Sequence, residues 1–337
     1  MRRSFIAVLA AGALALSACG GNTDSGSEES PAAGATTPAA EATEAAPTSV
    51  EFEDNNGKHT IDVPLKSVVA TDNRTFQTLA DWDIKLSAAA VGLMPDTVKY
   101  VNDTSVVDLG NHGEPDLEAV VAVEPDLIIT GQRFTQFSED FAKLAPEATI
   151  VNLDPREGEP FDSELKRQIT VMGEIFGKQA EAKKLTDDFD AAIARVKAAY
   201  KAEDKVMAVI TSGGEIGYVA PGAGRTLGPV FDFVGLTPAL ETEGSDDHQG
   251  DDVSVEAIAD SNPDWILVMD RDAAINSDDP TFKPGNEILE GSEALANVPA
   301  VQNKHILYMP ADTYLNEGIQ TYTKFLNEFA DALEKAK

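Results

Sequence analysis

One stretch of the chain occurs twice, first as Asp116-Leu-Glu-Ala-Val-Val-Ala-Val-Glu-Pro-Asp-Leu-Ile-Ile-Thr-Gly-Gln-Arg133 and again as Ser254-Val-Glu-Ala-Ile-Ala-Asp-Ser-Asn-Pro-Asp-Trp-Ile-Leu-Val-Met-Asp-Arg271. The copies align without a gap. Each begins with a residue that can cap a helix, and a proline ends the helical part, because the residue before proline avoids the α region. The apolar run that follows is typical of a strand covered on both faces. The repeat therefore predicts a helix, a turn and a buried strand in each half of the chain.

Each copy ends in an arginine just beyond its predicted strand, Arg133 in the first and Arg271 in the second. In open α/β sheets, ligands bind outside the carboxyl ends of the strands. Two lobes that face each other with one arginine apiece would hold an anionic ligand between them. An ion pair on the acidic surface is the simpler interpretation for a single arginine, but the duplication favours a functional one.

Short apolar runs alternate with helical patterns along the chain, which is typical of an α/β protein with a mostly parallel sheet in each half. The predicted strands are Ser67–Thr71, Ala88–Gly92, Val106–Leu109, Leu127–Thr130, Thr149–Leu153, Val206–Thr211, Ile216–Ala220, Trp265–Met269 and His305–Met309. Between the halves, apolar residues recur every three or four positions without glycine or proline, which predicts one continuous amphipathic helix. We therefore expect an N-terminal lobe (50–177), an inter-lobe helix (178–203) and a C-terminal lobe (204–337).

The N-terminus is typical of an exported lipoprotein. Arg2 and Arg3 precede an apolar run that is too short to span a bilayer and that closes in Leu16-Ser-Ala-Cys19. This pattern predicts a signal peptide (1–18) and a lipid on Cys19, with an ordinary signal peptide as the alternative. The linker (19–49) is almost free of large apolar residues, so we expect it to be disordered. The body would then lie on the outer face of the cell membrane, or in the periplasm of a two-membrane envelope.

The composition excludes several partners and chemistries. The formal net charge is −32 at pH 7. Nucleic acids and anionic lipid surfaces both require a basic face, so neither is an expected partner. The four histidines show no metal-ligand spacing, and the sequence contains no nucleophile motif. These features indicate a binding protein with no resident cofactor rather than an enzyme.

Beyond the linker, the chain resembles the substrate-binding lipoproteins of ABC importers for iron–siderophore complexes and cobalamin. The resemblance is closest to catecholate binders of the petrobactin and enterobactin type, whose recurring segment is present as Gly113-Glu-Pro-Asp116 and Pro125-Asp-Leu-Ile128. It implies a monomer with the fold of class III periplasmic binding proteins: two α/β lobes joined by one long helix. It also implies that Arg133, Arg225 and Arg271 hold a negatively charged ferric catecholate.

The resemblance implies further functional residues through looser matches. Some relatives supply a histidine and a tyrosine to the iron, and the candidates here are His248 and Tyr314. Arg74, just after the first predicted strand, is another candidate for the cleft. Glu118 and Glu256 occupy equivalent positions in the two repeats, where each would dock on one subunit of a permease dimer. Compensation of the helix dipole is the alternative role of these glutamates.

The sequence thus predicts a receptor that captures an Fe(III)–siderophore complex and delivers it to an ABC permease with its ATPase. Receptors for ferric hydroxamate, ferric citrate, haem or cobalamin are alternatives with the same fold. Haem and cobalamin suit clefts that are rich in aromatic residues. Only 7% of this chain is aromatic, which argues against these two ligands. An alternative of another class is a lipoprotein enzyme that acts on an anionic substrate.

Overall fold

The computed structural model describes residues 47–337. The predicted signal peptide (1–18), Cys19 and the linker up to residue 46 lie outside the described residues. Within residues 47–337, no helix is long and apolar enough to cross a membrane.

The described chain alternates strands and helices from end to end. The strands are β1 Ser49–Asp54, β2 Gly57–Asp62, β3 Val68–Ala70, β4 Ala88–Ala89, β5 Val107–Asp108, β6 Leu127–Thr130, β7 Thr149–Asn152, β8 Lys205–Ser212, β9 Glu215–Tyr218, β10 Thr237–Pro238, β11 Trp265–Asp270 and β12 Ile306–Tyr308. The α-helices are α1 Phe76–Asp81, α2 Leu117–Ala122, α3 Ser138–Leu144, α4 Phe161–Phe176, α5 Gln179–Ala199, α6 Gly228–Val234, α7 Val255–Asp260, α8 Arg271–Ile275, α9 Gly285–Glu290, α10 Pro299–Gln302 and α11 Ile319–Lys335. Short 3₁₀ helices span Val91–Leu93, Lys99–Asn102, Gln132–Phe137 and Thr313–Leu315.

The N-terminal lobe contains a five-stranded sheet in the order β5-β4-β3-β6-β7, in which every pair of neighbours is parallel. All five strands overlap runs that the sequence predicts as strands. The predicted α/β fold with a parallel sheet is therefore confirmed for this half. Because parallel strands share one direction, the residues that follow them meet at a single edge of the sheet.

An antiparallel hairpin of β1 and β2 precedes this sheet, and the sequence analysis did not predict it. Its two-residue loop is Asn55-Asn56, and Gly57 follows in a left-handed conformation with φ of 123°. The Asn55 amide donates to the Asn152 carbonyl of β7 over 3.0 Å, which fixes the hairpin against the edge of the lobe. The hairpin begins at Ser49, the last residue assigned to the linker.

The C-terminal lobe contains a second sheet in the order β10-β8-β11-β12, with all these pairs parallel. The strand β9 runs antiparallel to β8 and is joined to it through Gly213 and Gly214, which both have positive φ. Alternate side chains of β8 enter two different apolar clusters, so both faces of this sheet are covered. This arrangement explains why β8 and β11 read as unbroken apolar runs.

The long helix between the lobes is α5, as predicted. Gly177 ends α4 in the left-handed conformation, and α5 starts two residues later. Phe189, Ile193 and Val196 of its apolar face are buried, and α5 packs against α4, α6 and α11. One continuous cluster of buried apolar side chains runs from the N-terminal sheet through α5 and α11 to the C-terminal sheet. The two lobes are therefore joined by a shared core as well as by a helix.

A second connection lies between β12 and α11. We call residues 312–320 the crossing segment, because they extend from the C-terminal lobe onto the N-terminal one. Thr97 donates to Asp312 over 3.0 Å, the Asn73 side chain to the Leu315 carbonyl over 3.4 Å, and Gln320 to Thr78 over 2.9 Å. The crossing segment thus contacts the N-terminal lobe at its first residue, near its middle and at its last residue.

Candidate functional site

The two sequence repeats have the same local structure in both lobes. Asp116 caps α2 and Ser254 caps α7, each accepting a hydrogen bond from the amide three residues on. The residue before each proline adopts a left-handed conformation, Glu124 with φ of 43° and Asn262 with φ of 53°. The chain therefore leaves each helix and enters β6 or β11 through the same turn.

The aspartate after each proline connects the repeat to the neighbouring strand. Asp126 accepts hydrogen bonds from the amides of Lys66 and Ser67, just before β3, and Asp264 accepts one from Lys205 at the start of β8. The equivalent contacts fix the register of β6 beside β3 and of β11 beside β8. They place Arg133 and Arg271 at corresponding positions beyond the strand ends, in two lobes that face each other.

Three arginines gather around the ring of Tyr314. The guanidinium carbons of Arg133, Arg225 and Arg271 lie 5.1, 5.1 and 4.9 Å from the centre of the ring. The Nη2 atom of Arg133 also donates a hydrogen bond to the Tyr314 hydroxyl over 2.6 Å. At these distances each cation is attracted to the negative face of the ring. Tyr314 is only 4% exposed, so its ring is fixed between the guanidinium groups.

Arg225 reaches this position from a tight loop between β9 and α6. The Gly224 amide donates to the Ala220 carbonyl over 2.8 Å, and the Gly228 amide to the Gly224 carbonyl over 3.1 Å. A Cβ atom on Gly224 would lie 2.5 Å from the Val219 side chain, which is too close for any residue but glycine. The glycine-rich loop therefore folds tightly enough to aim Arg225 at Tyr314.

A cavity of about 590 Å³ opens in front of this cluster. Its walls combine basic, imidazole and aliphatic side chains: Gly92, Leu93, Asn111, His112, Arg133, His248, Arg271, Ala274, Ile275, Tyr314 and Leu315. His248 is exposed at the wall of this cavity, as a ligand-facing residue would be. Arg225 contacts the ring of Tyr314 at a similar distance but does not line this cavity.

The three arginines differ in the acids that they contact. Arg225 forms an ion pair with Glu317 at 3.0 Å, and Arg271 one with Asp272 at 3.5 Å. Within residues 47–337, no carboxylate oxygen lies within 4.0 Å of the Arg133 guanidinium. Arg133 is therefore the arginine whose charge is least compensated by the protein itself.

Arg74 lies below the cluster rather than in the cavity wall. Its guanidinium is 3.8 Å from Glu317 and 3.5 Å from Asp154. Burial alone would lower the pKa of Arg74, but Glu317, Asp72 and Asp154 raise it above its ordinary value. Arg74 is thus a permanent cation that compensates buried acids under the site.

Those buried acids form a network shared by the lobes. Burial and repulsion from Asp154 raise the pKa of Asp72 to about 7, although Arg74 opposes the shift. Burial also acts to raise the pKa of Glu317, but Arg225, Arg74 and hydrogen bonds hold it below its ordinary value. Asp72 therefore changes its charge near neutral pH, whereas Glu317 remains ionised.

The sequence analysis did not single out His112 as a site residue. Its Nδ1 atom is buried without a hydrogen-bond partner in the described part of the chain, and burial and Arg133 lower the pKa of the imidazole. His112 is therefore neutral at pH 7 and lines the cavity. Its position four residues beyond β5, at the ligand edge of the parallel sheet, is the signal that could have identified it.

Buried donors without partners also occur among the arginines. The Nε–H groups of Arg74, Arg225 and Arg271 have no acceptor within residues 47–337. An unsatisfied buried donor costs free energy, so these arginines retain hydrogen-bonding capacity beyond their present contacts. No cluster of three or more histidine, cysteine, aspartate or glutamate side chains in the described chain could hold a metal ion.

Comparison with known proteins identifies the family. The family model described as "Periplasmic binding protein" matches residues 68–313. The petrobactin-binding protein YclQ of Bacillus subtilis is 30% identical over 289 residues, which cover 84% of this chain and 86% of that protein. The ferric-anguibactin-binding protein FatB of Vibrio anguillarum is 27% identical over 275 residues, which cover 79% of this chain and 81% of that protein.

The fold comparison gives the same result. The crystal structure of YclQ matches with a TM-score of 0.73 and 25% identity, and covers 85% of this chain and 99% of its own. Residues 68–313, which the family model matches, include both repeats, the inter-lobe helix and the three arginines. The chain therefore belongs to the periplasmic binding protein family.

Proposed function

We propose that this chain is the substrate-binding lipoprotein of an ABC importer and that its cleft captures an anionic ferric siderophore of the catecholate type. The observation that carries the proposal is the convergence of Arg133, Arg225 and Arg271 on Tyr314 beside an open cavity. The printed names of two relatives, one petrobactin-binding and one ferric-anguibactin-binding, support it.

The chemistry of the arginine cluster suits such a ligand. A ferric tris-catecholate is a compact trianion with oxygens on all sides, and each guanidinium presents a planar fork of donors to paired oxygens. Arg133 and Arg271 line the cavity and would contact the ligand directly. Arg225, which lies at a similar distance from the Tyr314 ring, would add a third positive charge beside the cavity. The aliphatic walls formed by Leu93 and Ile275 would cover the less polar parts of the siderophore.

Tyr314 and His248 line the same cavity. A siderophore that leaves coordination positions on Fe(III) open would take a phenolate oxygen from Tyr314 and an imidazole nitrogen from His248. Arg133 donates to the Tyr314 hydroxyl, so it already stabilises negative charge on that oxygen. The iron belongs to the cargo, and the chain needs no cofactor of its own.

The remaining parts of the proposal concern the envelope. A lipid on Cys19 would hold the monomeric receptor at the outer face of the membrane. Glu118 and Glu256 would dock on the two permease subunits, which work with an ATPase. If Cys19→Ala leaves a correctly processed chain in the membrane fraction, the anchor assignment is wrong; release or loss of processing supports it.

Calorimetric titration of the purified chain with ferric tris-catecholate, ferric hydroxamate, ferric citrate and cobalamin tests the ligand. We expect the tris-catecholate to bind at least about 100-fold more tightly than a neutral hydroxamate, because each charge-assisted contact contributes about 1.5–3 kcal/mol. Equal binding of catecholate and hydroxamate would contradict the proposal. Arg195→Ala is a suitable control, because Arg195 is a half-buried residue of α5 that pairs with Asp331 and Glu334 of α11 and does not line the cavity.

A further inference from the structure

The carboxylate of Glu317 connects both lobes beneath the candidate site. It accepts hydrogen bonds from Arg225 at 3.0 Å and Thr226 at 2.5 Å in the C-terminal lobe, and from Gln132 at 3.2 Å in the N-terminal lobe. Glu317 is only 1% exposed, so water does not compete for these bonds. One buried side chain thus holds three groups from two different loops.

Two of these three donors have an unusual backbone. Gln132 has φ of 49° and Thr226 has φ of 62°, in the left-handed region that residues other than glycine rarely adopt. Such conformations persist only where surrounding contacts fix them. Gln132 immediately precedes Arg133, and Thr226 immediately follows Arg225. Glu317 therefore accepts from the side chains of the two left-handed residues that adjoin two of the site arginines, while Asp154 accepts from the backbone amide of Gln132.

The third connection runs along the chain itself. Glu317 lies three residues after Tyr314 in the crossing segment, and Tyr314 accepts a hydrogen bond from Arg133. The position of Glu317 thus sets the position of the ring around which the arginines gather. Displacement of the carboxylate would move Arg225, Arg133 and Tyr314 together.

We propose that Glu317 is the positioning residue of the ligand site, which sets the geometry of Arg133, Arg225 and Tyr314 across both lobes before the ligand arrives. The proposal rests on the function proposed above, since it explains how an anion site can be built partly on a buried anion. Glu317 does not contact the ligand; it acts through the arginines and the tyrosine.

Glu317→Gln changes both the charge below the site and the hydrogen bonds that position the site residues, and these two changes should have opposite effects on ligand binding. Removal of a negative charge below the site would by itself tighten the binding of an anionic ligand. Replacement of the charged acceptor that holds Arg225, Thr226 and Gln132 by a neutral amide would weaken it. We expect position to dominate, because Arg225 and Arg74 already compensate the charge of Glu317 locally, whereas a neutral amide oxygen in the place of Oε2 would hold Arg225 and Gln132 less strongly than a carboxylate does.

The first experiment needs no ligand. Hydrogen exchange of the full chain should show faster exchange in residues 131–135 and 222–228 of Glu317→Gln than in the wild type. Glu328→Gln, an exposed substitution in α11, should show no change in either loop. Unchanged exchange in both loops of Glu317→Gln would overturn the proposal, whatever the ligand proves to be.

The second experiment is a titration with ferric tris-catecholate. We expect binding by Glu317→Gln to be at least tenfold weaker than by the wild type, and Glu317→Asp, which keeps the charge on a shorter arm, to recover part of the loss. If Glu317→Gln binds as tightly as the wild type or more tightly, Glu317 affects binding only through its charge, and the proposal is wrong. If Glu317→Gln does not fold, weaker binding by folded Glu317→Asp supports the proposal and unchanged binding overturns it.

The two experiments separate the inference from the proposed function. If the wild type does not bind ferric tris-catecholate, the proposed ligand is wrong, while the exchange experiment still decides whether Glu317 fixes both loops.

Discussion

Arg133, Arg225 and Arg271 surround the same tyrosine ring but differ in their environment. Arg225 is paired with the buried Glu317, Arg271 has Asp272 at a longer distance, and Arg133 contacts the Tyr314 hydroxyl. Breaking a buried ion pair leaves an uncompensated charge. The three positions should therefore respond differently to the same substitution.

Arg133→Ala should weaken the binding of a ferric tris-catecholate by about 10- to 100-fold and leave the free energy of unfolding almost unchanged. Arg225→Ala should lower the free energy of unfolding by about 1.5–3 kcal/mol, because it removes the nearer of the two arginines that pair with the buried Glu317 and leaves only Arg74 at 3.8 Å. Titration and urea unfolding of both variants measure these effects. Equal loss of stability in the two variants would show that the ion pair with Glu317 is unimportant.

Asp72 should make stability depend on pH. Its pKa is about 7 in the folded protein against an ordinary value of 3.8, so the folded state binds the extra proton between these values. Its contribution to stability is therefore complete below about pH 4 and is lost as the pH rises to about 7. Asparagine has no proton to lose in this range. The free energy of unfolding of Asp72→Asn minus that of the wild type should therefore increase from pH 5 to pH 8.

Urea unfolding at pH 5 and pH 8 checks this prediction. The exposed Asp187→Asn serves as the control, since Asp187 pairs with Lys183 on the surface of α5. A difference between Asp72→Asn and the wild type that is the same at both pH values would contradict it.

At the scale of elements, the sequence contains clear signals for the repeats and the buried strands. All nine predicted strands have counterparts, because continuous apolar runs between turn residues are typical of parallel sheets. The β1–β2 hairpin was missed although Asn56-Gly57 is a turn signal, because the polar composition on both sides hides its alternation. The two-residue β10 is too short to leave any pattern.

The crossing segment could not be predicted, because its contacts join residues that are remote in sequence. Gly318 shows how closely the lobes approach there: a Cβ atom on it would lie 2.8 Å from the Arg74 carbonyl oxygen. The φ of Gly318 is −81°, which any residue can adopt, so only this contact requires glycine.

Gly318→Ala should therefore lower the free energy of unfolding by about 1–3 kcal/mol through overpacking, and weaken ligand binding by displacing Tyr314. Gly92→Ala is the control for stability, because its added Cβ would meet its nearest neighbour, Gly110, at an ordinary 3.6 Å. Urea unfolding of both variants tests the prediction. A Gly318→Ala protein as stable as the wild type would show that the segment can shift at little cost.

At the scale of the whole molecule, the fold class and the family are confirmed, whereas the balance of charge at the site was not predictable. The sequence indicates where Arg133, Arg225 and Arg271 lie relative to strands and loops. It cannot show that Glu317 lies beside Arg225, because that depends on how the lobes and the crossing segment pack. The formal net charge of −32 reflects mainly the protein surface and does not predict the local charge around the three arginines.

The pseudo-symmetry of the molecule also carries a prediction for transport. Glu118 and Glu256 are exposed in the first turns of α2 and α7, at equivalent places in the two lobes. The double variant Glu118→Ala/Glu256→Ala should keep its ligand affinity but reduce iron uptake by cells, because each lobe would lose the contact with one permease subunit that we propose above. Glu328→Ala is an exposed control. Normal uptake by the double variant would indicate that both glutamates only compensate the helix dipole.

The crossing segment follows both repeats along the chain, so the cleft is completed only after the repeats have been made. Chains are made, and emerge, from the N-terminus onward. Once Arg271 has emerged, both repeats can form, but Tyr314 and Glu317 are still to come. A partly exported chain therefore carries arginines without the ring and the carboxylate that arrange them. Ligand capture would therefore begin only after the crossing segment has been exported, and a protease that cuts the chain before Tyr314 would abolish capture while most strands survive.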